Sequence, residues 1–462
     1  MCVCVCLAHG HSRQSHSQQL LMSSPNSHDH DQEQDQEEEI NPPTLTTAFH
    51  TRQLLVSCAD LISQSDFSAA QRLLSHLLST YNSSPYGDST ERLVHQFVRA
   101  LSLRLNRHAN PARSTTTAPL VFNMNSIAPP PPPPPPPCTT TNTNNNKRMV
   151  ISYESMDQDT LQSCYLSLNQ ITPFIRFSHL TANQAILEAI QVGQQAIHII
   201  DFDIMHGVQW PPLMQALADR SNNTLHPPPM LRITGTGHDL SILHRTGDRL
   251  LKFAHSLGLR FQFHPLLLLN NDPASLALYL SSAITLLPDE ALAVNCVLCL
   301  HRFLMDDSRE LLLLLHKIKA LNPNVVTVAE REANHNHLLF LQRFLEALDH
   351  YTALFDSLEA TLPPNSKERL SVEQIWFGRE IMDIVAAEGE GRRERHQRFE
   401  TWEMMLKSSG FSNVPLSPFA LSQAKLLLRL HYPSKGYQLQ IVNNSFFLGW
   451  QNHSLFSVSS WH

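Results

Sequence analysis

The stretch AIHIIDFDIMHGVQWPPLMQAL, residues 196–217, decides the fold class of this chain. Its first six residues are a short apolar run that ends in Asp201, which is the pattern of a buried strand. The turn that follows leads into WPPLMQAL, and proline is favoured in the first turn of a helix. A strand that turns directly into a helix opens a βαβ unit. We therefore expect a Rossmann-like sheet whose ligand-binding edge lies beside Asp201.

Similar strand patterns recur later in the chain, with helical patterns between them. The runs LRIT, LRFQFH, LAVNCVLCL and VVTVAE occupy residues 231–234, 259–264, 292–300 and 325–330. The helical stretches include residues 211–220, 248–257 and 308–321. This alternation predicts a doubly wound parallel α/β sheet. Short turns separate three last runs, which predict an antiparallel close to the sheet, as in class I methyltransferases: residues 437–442, 446–450 and 455–461.

The part of the chain before residue 193 has helical periodicity, because its apolar residues recur every three or four positions. Asp66 is placed to cap the second of these helices. The pattern covers residues 54–62, 69–78, 89–105 and 160–190. We expect an α-helical cap, residues 46–106 and 149–192, on an α/β core of residues 193–462.

Two segments have the composition of disordered chain. Residues 1–45 are rich in His, Gln and acidic residues, and residues 107–148 contain nine consecutive prolines among Thr and Asn. Neither has enough apolar side chains to offset the entropy lost on ordering. We predict a disordered tail and a disordered insertion within one domain that spans residues 46–462.

The composition narrows the function classes. The 462 residues carry 34 Lys+Arg and 41 Asp+Glu, so the net charge of −7 argues against a basic nucleic-acid coat protein. Glycine is scarce, at 14 residues, so loops that cradle phosphates on several glycines are scarce too. The eight cysteines show no regular spacing, which favours a reducing compartment. The chain has no apolar run of membrane-spanning length and no signal-peptide pattern, so we expect no membrane association.

A methyltransferase that used the cleft beside Asp201 would need glycines two and four residues later, so that its backbone could approach adenosylmethionine. This chain has Asp203 and Met205 at those positions and keeps only Gly207. The second strand ends in TGTG at residues 234–237 instead of in an acid for the ribose hydroxyls. We therefore predict that no cofactor binds. The alternative is a methyltransferase-like enzyme that uses the cleft beside Asp201.

Three other groups of residues have chemically suggestive spacing. Cys296 and Cys299 form C-x-x-C inside an apolar strand pattern, which favours buried core cysteines over a redox or zinc site. A charged group at the end of the last parallel strand favours a buried charge network: Glu330, Arg331, Glu332, His335 and His337. A basic group interleaved with glutamates favours a solvated helix face: Arg392, Arg393, Arg395 and Arg398.

Taken as one unit, residues 196–217 resemble the VHIID motif of the GRAS proteins, a family of plant transcriptional regulators. The motif positions are Ile197, His198, Ile199, Ile200 and Asp201. Other blocks of that family follow in order. Residues 54–105 with 167–189, and residues 246–266, resemble its two leucine-rich regions. Residues 328–336, 340–360 and 376–389 resemble its PFYRE region, and the tryptophans at 402, 450 and 461 match its SAW region.

Departures from the family pattern are small. Ile197 stands where the motif name begins with Val, and Ser460 stands where SAW has Ala. The resemblance implies a methyltransferase-like core with a helical cap, located in the nucleus, that acts by contact with other transcription factors or GRAS proteins. It implies no catalysis, no cofactor and no small-molecule substrate. Candidate partner or structural positions are Gly207, Gln209, Trp210, Arg379, Glu380, Trp450 and Trp461.

The resemblance of residues 209–220 and 231–240 to one branch of the family implies a role in side-shoot meristem initiation. Contact with DNA is then expected to be indirect. A direct, sequence-specific DNA binder is a third possibility, but it would need a basic face that this acidic chain does not obviously offer.

Overall fold

The computed structural model describes residues 43–80, 87–109, 158–222, 227–268, 272–363 and 365–462. The predicted tail, residues 1–45, and the predicted insertion, residues 107–148, therefore lie almost entirely outside the described residues. The proposed boundaries at 45 and 106 fall inside helices, because one helix begins at Pro43 and another continues to Ala109. None of the described helices is long and apolar enough to cross a membrane.

Among the described residues five helices precede the sheet, one more than the four helical stretches predicted, because the stretch 160–190 divides at Pro173 into two helices. Asp66 caps the second, since its Oδ1 accepts a hydrogen bond from the Ala69 backbone N–H at 3.0 Å. The chain enters that cap through Ser65, whose φ is 65°. The helices are α1 (Pro43–Ser63), α2 (Phe67–Thr80), α3 (Ser89–Ala109), α4 (Gln158–Ile171) and α5 (Pro173–Ala189).

The part of the chain that the structure describes forms a sheet of nine strands. Its parallel half has the order β3-β2-β1-β4-β5, and the antiparallel strands follow β5 in the order β9-β8-β7. The parallel strands are β1 (Ala196–Asp201), β2 (Met230–Gly237), β3 (Phe261–Leu267), β4 (Glu290–Val297) and β5 (Val325–Arg331). The others are β6 (Asn413–Val414), which pairs with β9, then β7 (Tyr437–Val442), β8 (Ser445–Trp450) and β9 (His453–Trp461).

This strand order is that of a class I methyltransferase-like sheet, so the predicted fold class is confirmed. All eight predicted strands are present, with ends shifted by up to three residues. The helix predicted at residues 248–257 begins eight residues earlier, at Leu240, because Asp239 caps it and accepts a hydrogen bond from the Ile242 N–H at 3.0 Å.

Within the described ranges, nine further helices connect and cover the strands. A π-helical turn at Val372–Phe377 runs into α12, and a 3-10 turn at Leu300–Phe303 follows β4. The helices are α6 (Trp210–Asn222), α7 (Leu240–Ser256), α8 (Pro273–Ala283), α9 (Arg309–Ala320), α10 (Phe340–Thr361), α11 (Lys367–Ser371), α12 (Gly378–Ala386), α13 (Phe399–Ser408) and α14 (Pro418–His431).

The helical cap shares its core with the rest of the molecule. Leu55, Leu74 and Phe97 of α1 to α3 belong to the same buried cluster as Phe344 of α10 and Trp450 of β8. The Phe97 and Phe344 rings meet edge to face with centroids 5.4 Å apart. The described helices of the cap therefore share one buried core with α10 and with the antiparallel half of the sheet.

Candidate functional site

The turn after β1 contains the glycine that the sequence singles out. Gly207 has φ +63°, in the left-handed region that side chains disfavour, and a Cβ added to it would lie 2.9 Å from Thr246 Cγ2 and 3.1 Å from Leu250 Cδ1. Its conformational freedom therefore allows the turn to pack against α7. This structural demand accounts for the glycine without any cofactor.

Three motif residues meet in one buried hydrogen-bond network. Asp201 Oδ2 accepts from the Trp210 indole N–H at 2.9 Å, and Asp201 Oδ1 accepts from the Asn295 amide at 3.1 Å. Gln209 donates to Asn295 Oδ1 at 2.9 Å and receives a hydrogen bond from Asn295 in return at 3.1 Å. All four side chains are buried. The network joins the β1 turn to β4, so these candidate positions hold the sheet edge together.

Sequence reasoning missed three members of this network, one of them Thr327, whose Oγ1 donates to Asn295 Oδ1 at 2.9 Å. Asn295 lies within the apolar run of β4, and Asn183 of α5 donates to the Gln209 carbonyl oxygen at 2.8 Å. An amide in the middle of an apolar strand pattern is itself a signal, because a buried polar side chain needs partners.

The remaining VHIID-like residues are structural. Ile197, Ile199 and Ile200 are fully buried on the two faces of β1. His198 Nε2 lies 2.8 Å from Thr234 Oγ1 on the neighbouring strand, and burial lowers the pKa of His198 to about 4. A neutral imidazole at this position fits a strand-to-strand hydrogen bond.

The two carboxylates of the turn have different environments. Burial raises the pKa of Asp201 to about 7, against the opposing hydrogen bond from Asn295. Asp203, which replaces a turn glycine, forms an ion pair with Arg302 at 2.5 Å, and it is only partly exposed. The space that a cofactor backbone contact would need is thus filled by an internal ion pair.

A cavity lies between this turn, the cap and the residues that follow β4 and β5. Its volume is about 40 Å³, whereas pockets for small-molecule ligands measure about 300–1,000 Å³. It can hold a few water molecules. The residues present therefore do not fit adenosylmethionine. The polar lining comprises Asp201, Asp203, Gln209, His179, His301, Arg302, Arg331, Glu380, Glu394 and His396.

His301 is clamped between two carboxylates at one wall of the cavity. Its Nδ1 lies 2.8 Å from Glu330 Oε2, and its Nε2 lies 3.1 Å from Glu394 Oε2. Burial by itself lowers the pKa of His301, but the charges and hydrogen bonds of Glu330 and Glu394 outweigh it and raise that pKa to about 9. The imidazole is therefore a cation near neutral pH, and the same contact holds the pKa of Glu394 well below its usual range, although burial opposes this.

A second ion pair completes the network. Arg331 donates to Glu380 Oε1 at 2.6 Å, and the Tyr351 hydroxyl donates to Glu380 Oε2 at 2.9 Å. Arg379 lies half-buried with its guanidinium 5.5 Å from the Trp376 ring centre. Glu330, Arg331 and His335 are thus buried charged or polar groups, as the sequence predicts.

Glu332 and His337 lie apart from this network. Glu332 Oε1 accepts from the Phe399 N–H at 3.0 Å, and burial raises the pKa of Glu332 to about 7. His337 Nδ1 accepts from the Leu339 N–H at 3.1 Å at the start of α10. Both side chains accept a hydrogen bond at the start of a helix, Glu332 at α13 and His337 at α10.

Among the described residues, one group of potential metal ligands is compact: His301, Glu394 and His396, with donor atoms within 4.8 Å of one another. Both ring nitrogens of His301 already face carboxylates. The His301 and His396 rings are stacked, with centroids 4.1 Å apart and 28° between their planes. The lone pairs of an imidazole lie in its ring plane, so two stacked rings do not point their nitrogens at one shared ion. The group is therefore better explained as charge pairing than as a metal centre.

The basic group at residues 392–398 differs from the prediction. These residues are not helical, and Arg392 and Arg395 are buried. Arg395 donates to Asp306 Oδ1 at 2.8 Å, and Arg392 donates to the His335 carbonyl oxygen at 2.8 Å. The prediction of a solvated helix face is therefore wrong for Arg392 and Arg395, because they are buried and hydrogen-bond to acceptors distant in sequence. Arg393 and Arg398 are exposed, as predicted.

The cysteine and tryptophan candidates are core residues. Cys296 and Cys299 are free and buried, as predicted. Trp461 is fully buried and its indole N–H donates to Ser459 Oγ at 2.8 Å, while the Trp450 and Tyr437 ring centroids lie 4.9 Å apart. These positions stabilise the antiparallel half of the sheet and offer no surface to a partner.

The chain is similar to known proteins over most of its length. A family model described as the GRAS domain family matches residues 51–462. Scarecrow-like protein 18 of Arabidopsis thaliana is 55% identical over 412 residues, which are 89% of this chain and 91% of that protein. Protein MONOCULM 1 of Oryza sativa subsp. japonica is 43% identical over 431 residues, 89% of this chain and 88% of that protein.

A solved structure agrees with the fold. The crystal structure of SCL7 in Oryza sativa is 32% identical, has a TM-score of 0.67, and is matched over 89% of this chain and 99% of that chain. Within the family, residues 209–220 and 231–240 resemble the Lateral suppressor type, to which MONOCULM 1 belongs.

Proposed function

The chain belongs to the GRAS domain family of plant transcriptional regulators, and we propose that it acts by contacting DNA-binding partner proteins through its helical cap. The observation that carries this proposal is that the cleft beside Asp201 is too small for a cofactor. An enzyme of this fold would bind its ligand there. In this chain the Asp203–Arg302 ion pair and the packed turn leave a cavity of about 40 Å³. We infer that the protein is not an enzyme.

The cap offers apolar surface for a partner. Phe49 on α1 is 70% exposed, and Leu78 on α2 is 48% exposed. Large apolar side chains that a fold leaves exposed are candidate contact positions for a partner protein. Partner binding at the cap is therefore expected to be largely hydrophobic.

Indirect contact with DNA is favoured by charge. The net charge of −7 repels phosphates, whereas direct DNA binding depends on Lys and Arg that displace counterions from the backbone. The proposed location is the nucleus, by analogy with the regulatory relatives. From the Lateral suppressor resemblance we propose a role in side-shoot meristem development.

The test compares partner capture by two matched surface variants in plant nuclei. Phe49→Ser with Leu78→Ser removes exposed apolar side chains from the cap, and Leu278→Ser removes one that is 70% exposed on α8, away from the cap. Because none of the three is a core residue, folding should be unaffected. Quantitative mass spectrometry of co-purified proteins should show a loss of at least tenfold for the cap variant and none for the control.

Equal capture by the wild type and the cap variant would contradict the cap as the contact surface. Methyl transfer from adenosylmethionine by the purified protein would instead restore the enzyme as its function.

A further inference from the structure

A shallow groove runs between α14 and the edge strand β7. Its walls combine apolar side chains with cations from α14 and from the segment that follows it. Its lining includes Lys425, Leu428, Arg429, Lys435, Tyr437 and Leu439. The groove shares no lining residue with the cavity beside Asp201, although the Tyr437 ring at the groove lies 6.0 Å from Phe174, which lines the cavity.

The cations of this groove are not paired with acidic residues in the part of the chain that the structure describes. Lys425, Arg429 and Lys435 are exposed, and none forms an ion pair with a residue in the described ranges. The sequence contains no Asp or Glu from residue 404 to its end at 462. The groove therefore presents uncompensated positive charge on an otherwise acidic protein, which favours an acidic occupant.

The groove also has an open strand edge. Strand β7 pairs with β8 on one side, and among the described residues no strand pairs with its other side. Ile441 and Val442 at its end are 57% and 40% exposed. Outward backbone N–H and C=O groups are a template for an extended segment, and β7 lacks the charged or proline residues that usually protect such an edge.

The chain contains one segment with the complementary pattern. Residues 29–39 read DHDQEQDQEEE and hold seven of the 41 acidic residues. Every odd-numbered position from 29 to 39 is acidic. A period of two places all of these carboxylates on one face only if the segment is extended. Alternate residues then lie about 6.7 Å apart, close to the roughly 6 Å rise between Lys425 and Arg429, one turn apart on α14.

The path of the chain brings this segment toward the groove. Helix α1 ends near the start of α10, since Phe67 at the start of α2 stacks on His108 with ring centroids 4.9 Å apart. In the same last turns of α3, Arg104 lies 3.7 Å from the ring centre of Phe340, which opens α10. Helix α1 therefore runs antiparallel to α10, and its first residue, Pro43, lies toward the end of α10.

The groove lies at that same end. Arg52 pairs with Asp349 about midway along both helices. Near the end of α10, Ser357 and Thr361 lie beside the Tyr437 hydroxyl at the groove. Residue 39 precedes the start of α1 by only four positions, and eleven extended residues span up to about 36 Å. The acidic segment can thus reach the groove from its point of attachment.

We propose that residues 29–39 bind in an extended conformation along the groove between α14 and β7, with alternate carboxylates against Lys425, Arg429 and Lys435. The contact is intramolecular, so the effective concentration of the segment is high. A partner protein that uses this groove must first displace the segment.

Zero-length carbodiimide cross-linking of the full chain tests this contact, because the reagent joins only carboxyl and amino groups in direct contact. Mass spectrometry should find residues 29–39 joined to Lys425 and Lys435 at least tenfold more often than to Lys252, an exposed lysine on α7. An equal mixture of ¹⁴N and ¹⁵N protein separates contacts within one chain from contacts between chains. We expect each cross-linked peptide pair to carry a single nitrogen isotope, as links within one chain do.

A matched variant separates the alternating pattern from simple charge. The substitutions Gln32→Glu, Glu33→Gln, Asp35→Gln and Gln36→Asp keep the composition and net charge but break the alternation. The links to Lys425 and Lys435 should fall at least fivefold. Unchanged linking in the variant, linking to Lys252 at the same frequency, or isotope-mixed links from a second copy would each overturn the proposal.

Discussion

Replacing His301 by glutamine removes the cation held between two buried carboxylates, and the loss should depend on pH. The pKa of His301 is about 9 in the folded protein and 6.5 for an unperturbed histidine. That difference of about 2.5 pKa units corresponds to about 3 kcal/mol of stability at 1.36 kcal/mol per unit. Because the folded pKa is the higher one, this stabilisation is fully present below pH 6.5 and is lost as the pH rises through 9.

Urea unfolding followed by tryptophan fluorescence at pH 6.5, 7.5, 8.5 and 9.5 measures this effect. The difference in unfolding free energy between wild type and His301→Gln should shrink by about 3 kcal/mol across that range. Taking the difference cancels other groups that titrate in the window, such as Asp201. His316→Gln on the exposed side of α9 is the control and should leave the slope unchanged. A difference that stays constant, or grows with pH, would refute the charged-imidazole account.

Three further predictions concern the turn, the insertion and the cleft. Gly207→Ala should cost about 2–4 kcal/mol in urea unfolding, from left-handed strain plus overpacking. Gly258 has φ +69°, and a Cβ added to it meets nothing within 4 Å, so Gly258→Ala should lose only the stability that left-handed backbone strain costs. Equal losses of stability in the two variants would contradict a steric clash at Gly207. Deleting residues 110–146 should leave the thermal midpoint nearly unchanged, and a loss of many degrees would show that they pack. Calorimetry with adenosylmethionine should show no binding heat, and micromolar affinity would revive the enzyme.

The fold was largely predictable because its strands and helices each carry a local signal. The apolar run of β1 and the proline pair of α6 identify the first βα unit without any tertiary information. The start of α7 was not predicted because Asp239, which caps the helix, comes almost directly after the TGTG end of β2. The sequence therefore has no loop segment there to indicate where the strand ends and the helix begins.

The site was less predictable because its contacts join residues far apart in sequence. Asn295 meets Gln209 across 86 positions, and Arg395 meets Asp306 across 89. An arginine-rich run has the composition of a solvated surface, and only the fold reveals that acceptors elsewhere bury two of its members. Periodicity describes how a segment faces its neighbours, but it does not identify the partners of individual polar side chains.

DNA binding by the purified full-length protein across a salt series tests the central claim most directly, since that claim is that partners and not this chain read the DNA. Fluorescence anisotropy with genomic fragments occupied in plant nuclei should show no sequence preference and no tight binding at physiological salt, and addition of a captured DNA-binding partner should bring the protein onto the DNA. Nanomolar binding of the protein alone to a specific site at physiological salt would contradict the claim and establish direct readout.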